Sequence, residues 1–135
     1  CMQHAAPLMR AAPRPGGAPA LVVNLADLSG VYPWRGYVQH GVSKAGLLHL
    51  TRIAARELAP DVRVNAVVPV AILPTPGVDP EGDLWREIGG AGPLARPGHP
   101  DLVARAVLFL AANDYVTGAA LPVDGGEHLV GPINH

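Results

Sequence analysis

Ala20-Leu21-Val22-Val23-Asn24-Leu25 and, further on, Val62-Arg63-Val64-Asn65-Ala66-Val67-Val68 are short runs rich in β-branched residues. The first reads as a strand buried on both faces, the pattern of a parallel sheet, and the second as a further strand. Between them, Tyr37 to Leu58 has helical periodicity. Val42, Ala45, Leu48 and Arg52 share one face, and Leu50, Ile53, Ala54 and Leu58 another, so much of this helix is expected to be covered. Pro60 ends it. Strand, helix and parallel strand make one βαβ unit.

The rest of the chain extends the pattern. Met2 to Arg10 reads as part of a helix, and residues 11–20 and 28–36 as Pro/Gly/Ser-rich loops. Residues 69–100 carry prolines between scattered glycines, too long for an ordinary connection, with a short helix over Asp83–Ile88. Asp101 to Ala112 is amphipathic, with Val103, Ala106, Val107 and Leu110 on one face. Asp101 suits the positive end of that helix. Ala119-Ala120-Leu121-Pro122-Val123 is a last strand, placed at an edge by its proline. The alternation is that of a doubly wound α/β sheet, of which three strands are only a part. Gly125-Gly126 follows the last strand with no helix after it, so it is no phosphate cradle.

Composition narrows the functions. The 135 residues have a net charge of −1, without the basic footprint of a nucleic-acid binder or a polybasic membrane surface. Hydrophobic residues are 49%, enough for a core, yet no charge-free apolar run of membrane-spanning length occurs. Aromatics at 4% do not suggest a base-stacking surface. The single cysteine, Cys1, allows neither an intrachain disulfide nor a cysteine zinc site. His99, His128 and His135 are too scattered for a metal site and are expected at the surface. The chain starts Cys1-Met2-Gln3 without a signal-peptide pattern, so it is expected to be a fragment, a processed chain or the product of a broken gene. Lysine occurs once, at Lys44.

Around that lysine, Tyr37-Val38-Gln39-His40-Gly41-Val42-Ser43-Lys44-Ala45-Gly46-Leu47 resembles the active-site helix of the short-chain dehydrogenase/reductase family. The resemblance continues in Val22 to Gly30, Ala59 to Pro69, Arg96-Pro97-Gly98-His99-Pro100-Asp101 through Ala111, Tyr115-Val116-Thr117-Gly118 and Val123-Asp124-Gly125-Gly126. It implies the C-terminal catalytic half of a Rossmann-like fold, a single partial domain over residues 1–135, with the N-terminal dinucleotide-binding half absent. A full member is about twice this length and grips the cofactor pyrophosphate at a helix N-terminus.

The resemblance also assigns roles. The family's serine, in a Ser-x-x-Gly turn, falls on Asp27 of Asp27-Leu28-Ser29-Gly30. Its tyrosine, 13 residues on, falls on His40, and its lysine on Lys44. Ser-Tyr-Lys therefore becomes Asp27-His40-Lys44. The aspartate resembles the pteridine-reductase branch; the histidine matches no branch. Pro69-Val70-Ala71-Ile72 matches the Pro-Gly-x-Ile segment whose Ile backbone contacts the nicotinamide amide, with Val70 in place of the glycine. Lys44, Pro69, Val70 and Ile72 are thus the cofactor-binding candidates. NADPH is the expected cofactor, with NAD as the alternative, and no metal is expected.

The implied activity is hydride transfer to a small carbonyl or pterin-like substrate by a cytoplasmic homo-oligomer that binds neither nucleic acid nor membrane. Reduction of C=O or C=N builds negative charge that a proton must quench, and a histidine, with an ordinary pKa of about 6.5, can supply it. Tyr37, one helical turn earlier, is the other nearby phenol. Simpler roles stand beside these. Asp27 could only cap its turn, and Asn24 could support its strand. Trp34 and Trp85, flanking the cleft, could be lid or core packing. The alternative function is a non-catalytic remnant or partner subunit that associates through the 37–58 helix.

Overall fold

The computed structural model describes residues 2–130. Its helices are α1 (Met2–Ala11), α2 (Val38–Glu57), α3 (Asp83–Gly89) and α4 (Pro100–Ala112). Its strands are β1 (Ala20–Leu25), β2 (Val62–Pro69) and β3 (Ala120–Val123). The sheet runs β1-β2-β3 and is parallel throughout, with Val22 opposite Val64 and Ala66 opposite Ala120. This is the expected α/β arrangement, and β3, with Pro122, lies at an edge.

The pleat of β2 sorts the core, because successive side chains point to opposite faces. Val62 and Val64 pack with Ala54 and Ala55 of α2 and with Met2 and Met9 of α1. Ala66 and Val68 join Leu48, Ala26 and Leu28. On the opposite face, Val67 meets Ala106 and Leu110 of α4, with Leu21, Val23, Val103 and Val107 around them. The polar residues Arg63 and Asn65 share that second face and are also buried. Burial is tolerable for them because backbone carbonyls and an amide take both Nη atoms of Arg63 and the Asn65 amide, although Arg63 Nε is left without a partner among the described residues. Arg63 Nη1 donates to the Leu110 and Val116 carbonyls at 2.8 and 3.1 Å, and Nη2 to Ala111 at 3.4 Å. Asn65 donates to the Val116 carbonyl and accepts from the Ala119 amide.

One expectation is corrected. Helix α2 is not covered on two faces. Its buried stripe is Leu48, Thr51, Ala54 and Ala55, whereas Val42 is 69% and Ile53 48% exposed. Apolar residues surround the helix, but one sheet can cover only the side that faces it. Asn24 is also more than a strand residue: its amide donates to Thr51 Oγ1 at 2.9 Å, tying β1 to α2. No helix among the described residues is long and apolar enough to cross a membrane.

Candidate active site

In a parallel sheet, ligands gather at the C-terminal ends of the strands. Here β1 runs into Ala26 and Asp27, then into a 3-10 turn, Leu28–Gly30. The Asp27 carboxylate caps that turn, with Oδ1 accepting from the Ser29 amide at 2.8 Å. The turn lies hard against α2. A methyl at Gly30 would stand 2.7 Å from the Lys44 carbonyl carbon, so only glycine permits this approach. The close packing fixes Asp27 relative to the first turns of α2.

Asp27 and His40 are brought together, with His40 Nε2 3.5 Å from Asp27 Oδ1. The same Oδ1 therefore caps the turn and faces the imidazole. Lys44, one helical turn beyond His40, donates to the Leu25 carbonyl at the end of β1 at 2.9 Å. The Ser43 hydroxyl donates to the His40 carbonyl at 2.8 Å. Tyr37 meets His40 edge-on with ring centroids 6.3 Å apart, and Trp34 meets Tyr37 the same way at 5.8 Å.

A cleft of ≈ 340 Å³ opens over this pair. Asp27, His40, Trp34 and Tyr37 line one side, and Val70, Trp85 and Glu127 also line it. Of the residues expected to hold a cofactor, Val70 reaches the cleft. Lys44, Pro69 and Ile72 lie outside its lining. Pro69 ends β2, and Ile72 packs so tightly on Gly98 that a methyl there would come 2.6 Å from its Cδ1. Between them Ala71 takes φ 48°, a conformation that favours glycine and that few other residues adopt. The Gly98 amide, which bonds to the Ala71 carbonyl at 2.9 Å, secures it.

Sequence reasoning missed Glu127 and the partner of His128. Glu127 and His128 stand on a second 3-10 turn, Glu127–Leu129, after β3. Glu127 is buried. His128 lies at the surface as expected, its side chain 36% exposed, but it is paired: its Nδ1 lies 2.7 Å from Asp124 Oδ2, which also accepts from the His128 amide at 2.9 Å. The other carboxylate oxygen accepts from the Gly126 amide at 3.0 Å. His99 instead caps α4, its Nδ1 accepting from the Asp101 amide; His135 lies outside the described residues. Among the described residues no cluster of His, Cys, Asp and Glu could hold a metal ion.

Burial alone would push the Asp124 carboxyl up, but the bonds from the His128 amide and ring and from the Gly126 amide outweigh it. Its pKa therefore lies below the ordinary value of 3.8. A carboxyl whose pKa is depressed on folding adds stability above its unfolded pKa, and that stability is lost as pH falls through the folded value. Asp124→Asn is therefore expected to lower the melting temperature at neutral pH. Below about pH 4, near the unfolded carboxyl value, the gap between variant and wild type should close. Melting curves across that range check it.

A parallel α/β sheet with a polar pair at the C-terminal ends of its strands defines the Rossmann-like fold class. Within it, a family model described as enoyl-(acyl carrier protein) reductase matches residues 1–128. The chain is 40% identical over 109 residues to an uncharacterized oxidoreductase of Mycobacterium tuberculosis, covering 78% of this chain and 41% of that protein. It is 38% identical over 109 residues to the 3-oxoacyl-acyl-carrier-protein reductase FabG of Thermotoga maritima, covering 78% and 44%. Among solved structures, FolM alternative dihydrofolate reductase 1 from Brucella suis in complex with NADP superposes with a TM-score of 0.80 at 30% identity, covering 98% of this chain and 52% of that one. The chain belongs to the short-chain dehydrogenase/reductase family, and it spans about half the length of the relatives it matches.

Proposed function

We propose that this chain is the catalytic portion of an NAD(P)H-dependent short-chain reductase, working with a dinucleotide-binding half. In this reading residues 1–135 form one partial Rossmann-like domain. The carrying observation is the meeting of Asp27 and His40 in a cleft at the strand ends, with Lys44 one turn further along the same helix. When bound, the nicotinamide cofactor supplies the hydride that reduces a C=O or C=N bond.

The chain's own residues do the rest. Asp27 orients the imidazole through Nε2, and Nδ1 is the nitrogen left to give a proton to the reduced atom. Their 3.5 Å separation is longer than a hydrogen bond, as is common before a substrate tightens such a site. An ammonium has three N–H donors. Lys44 commits one to Leu25, and the others suit a pair of ribose hydroxyls. Pro69, Val70 and Ile72 hold the nicotinamide end, and the 69–97 segment closes over substrate.

NADP is the proposed cofactor, supported by the NADP complexes of two structural neighbours, with NAD the alternative. The proposed substrate is a small carbonyl compound or a pterin-like ring. Asp27 in the serine position supports the pterin, and Trp34, Tyr37 and Trp85 give flat walls for it. A cytoplasmic enzyme that acts on a small molecule, not on nucleic acid or membrane, completes the reading. Calorimetric titration tests the division of labour. This chain alone should bind NADPH weakly, since among the described residues no helix N-terminus follows a Gly-rich turn that could take the pyrophosphate. Joined to such a half it should bind at micromolar levels. Micromolar binding by the chain alone would contradict the reading.

The second reading, a non-catalytic partner subunit, has its own support. Val38, Val42, Leu50 and Ile53 leave an apolar face on α2 exposed. Large exposed apolar patches drive association. Sedimentation should show a dimer or larger species, reduced to monomer by Val42→Asp. Activity in the joined protein would decide for the reductase.

A further inference from the structure

A neutral imidazole donates from one ring nitrogen and accepts at the other. His40 Nε2 stands 3.5 Å from Asp27 Oδ1, so the carboxylate draws the N–H to Nε2 and leaves the lone pair on Nδ1. Among the described residues the ring has that carboxylate and the edge of Tyr37 as its polar and aromatic contacts, and Nδ1 has no partner. The carboxylate is itself held, because Oδ1 accepts from the Ser29 amide at 2.8 Å. A fixed negative charge behind an imidazole stabilises the imidazolium that forms when the other nitrogen takes a proton. The first turn of α2, where His40 lies, disfavours that cation, but the carboxylate opposes this with a full charge at closer range. The pair is a base when neutral and a donor when protonated.

The cleft decides what such a base acts on. Its ≈ 340 Å³ suit a small molecule. Asp27, Tyr37 and Glu127 are the titratable side chains that line it with His40, and among the described residues no Lys or Arg does. Lys44 lies one turn along the helix, with its ammonium bonded to the Leu25 carbonyl. An anionic substrate is therefore disfavoured, and a carbanion formed in the cleft meets no fixed cation. Tyr37 and Thr75 line the cleft too, and their hydroxyls bond to no described residue, so they are the donors open to an enolate oxygen. A carbon between two carbonyl groups satisfies both conditions: the compound is neutral, and its carbanion spreads the charge over two oxygens. The His40 side chain is 44% exposed, so a proton it takes can be exchanged with water.

We infer that the Asp27–His40 pair enolises small neutral 1,3-dicarbonyl compounds without any cofactor. The C–H bond between the two carbonyls breaks, its proton goes to His40 Nδ1, and its electron pair moves onto an enolate oxygen. Nδ1 exchanges the proton with solvent and returns one to the same carbon, so nothing is oxidised or reduced. The step shares Asp27 and His40 with the reductase reading but none of its hydride chemistry, and either can fail without the other.

The test uses this chain in heavy water with ethyl 2-methylacetoacetate and no nicotinamide. Proton NMR follows the loss of the signal from the carbon between the carbonyls. The loss should be about 10²- to 10⁴-fold faster than with free imidazole at the same concentration. His40→Gln, which keeps a polar side chain but no base, should remove that excess. Asp27→Asn, which keeps an oxygen to cap Ser29, should cut it by about tenfold or more. Circular dichroism checks the fold of each variant. In the unaltered chain the excess should rise with pH and level off once the imidazole is neutral. Reduction by the protein joined to a dinucleotide-binding half should fall over the same range, because there the imidazolium is the donor. Exchange no faster than with free imidazole would overturn the proposal. So would an excess that falls as pH rises, or one that survives His40→Gln or is untouched by Asp27→Asn in a folded chain. Enolisation as expected, with no oxidation of NADPH by the joined protein, would count against the reductase reading alone.

Discussion

Replacing His40 with alanine, in the chain joined to a dinucleotide-binding half, is expected to lower kcat by about 10²- to 10⁴-fold, the usual worth of a positioned proton donor. The expectation follows from the placement of the ring. Asp27 Oδ1 stands 3.5 Å from Nε2, and the cap it forms on Ser29 keeps the carboxylate from swinging away. KM should change far less, because the proton is transferred only in the transition state. His40→Tyr should keep or raise activity, since a phenol one helical turn before Lys44 restores the arrangement that the family resemblance implies. Tyr37→Phe separates the two candidate donors. If it abolishes turnover while His40→Ala leaves the rate unchanged, the phenol of Tyr37 is the donor and the role of His40 is refuted. Steady-state kinetics on these variants checks the assignment.

Replacing Arg63 with alanine should destabilise the fold by about 3–5 kcal/mol, from lost bonds to backbone and the cavity left behind. That is a large share of the roughly 5–15 kcal/mol that holds a domain together. Leu110 and Ala111 are in the last turn of α4, where carbonyls have no intrahelical partner, and Arg63 supplies donors to both. The guanidinium also sits at the negative end of the α4 dipole, and it fastens the Val116 carbonyl of the segment leading into β3. Without it, the end of α4 loses two donors at once, and the Val116 carbonyl keeps only that of Asn65. Arg63→Lys should recover only part of the loss, because one ammonium cannot span the carbonyls that the planar fork reaches. Urea unfolding measures both; a loss below about 1 kcal/mol for Arg63→Ala would show that water replaces the side chain.

The elements were legible because their periods are clean. The β-branched runs of β1 and β2 and the apolar stripe of α4 each admit one reading, and all three appear within a residue or so of the expected bounds. The edge position of β3 followed from Pro122, which has no N–H to give to a further strand. The coverage of α2 was not legible. Val42 and Ile53 look like core residues in sequence, and only the sheet's position shows that Thr51 and Ala55 are turned inward instead. At the site, the resemblance supplied Asp27 and His40, and the structure brings them together. It could not supply Glu127 or the Asp124–His128 pair. Their signal was an acidic residue and a histidine four positions apart beside Gly125-Gly126, a spacing that also fits an exposed turn. What makes Glu127 a wall of the cleft is the fold, which brings the turn after β3 beside Asp27 and His40, a juxtaposition no local pattern announces.

The central claim, that this chain carries the proton-donating half of a hydride-transfer site, is tested most directly by isotope transfer. The chain joined to a dinucleotide-binding half would be given NADPH deuterated at the transferring carbon and a panel of small carbonyl and pterin-like substrates. Mass spectrometry of the products should show one deuterium on the reduced carbon, and the label should fall sharply with His40→Ala while calorimetry shows cofactor binding intact. Unlabelled substrate throughout, with the cofactor bound and the fold unchanged, would contradict the account and leave the chain as a partner subunit.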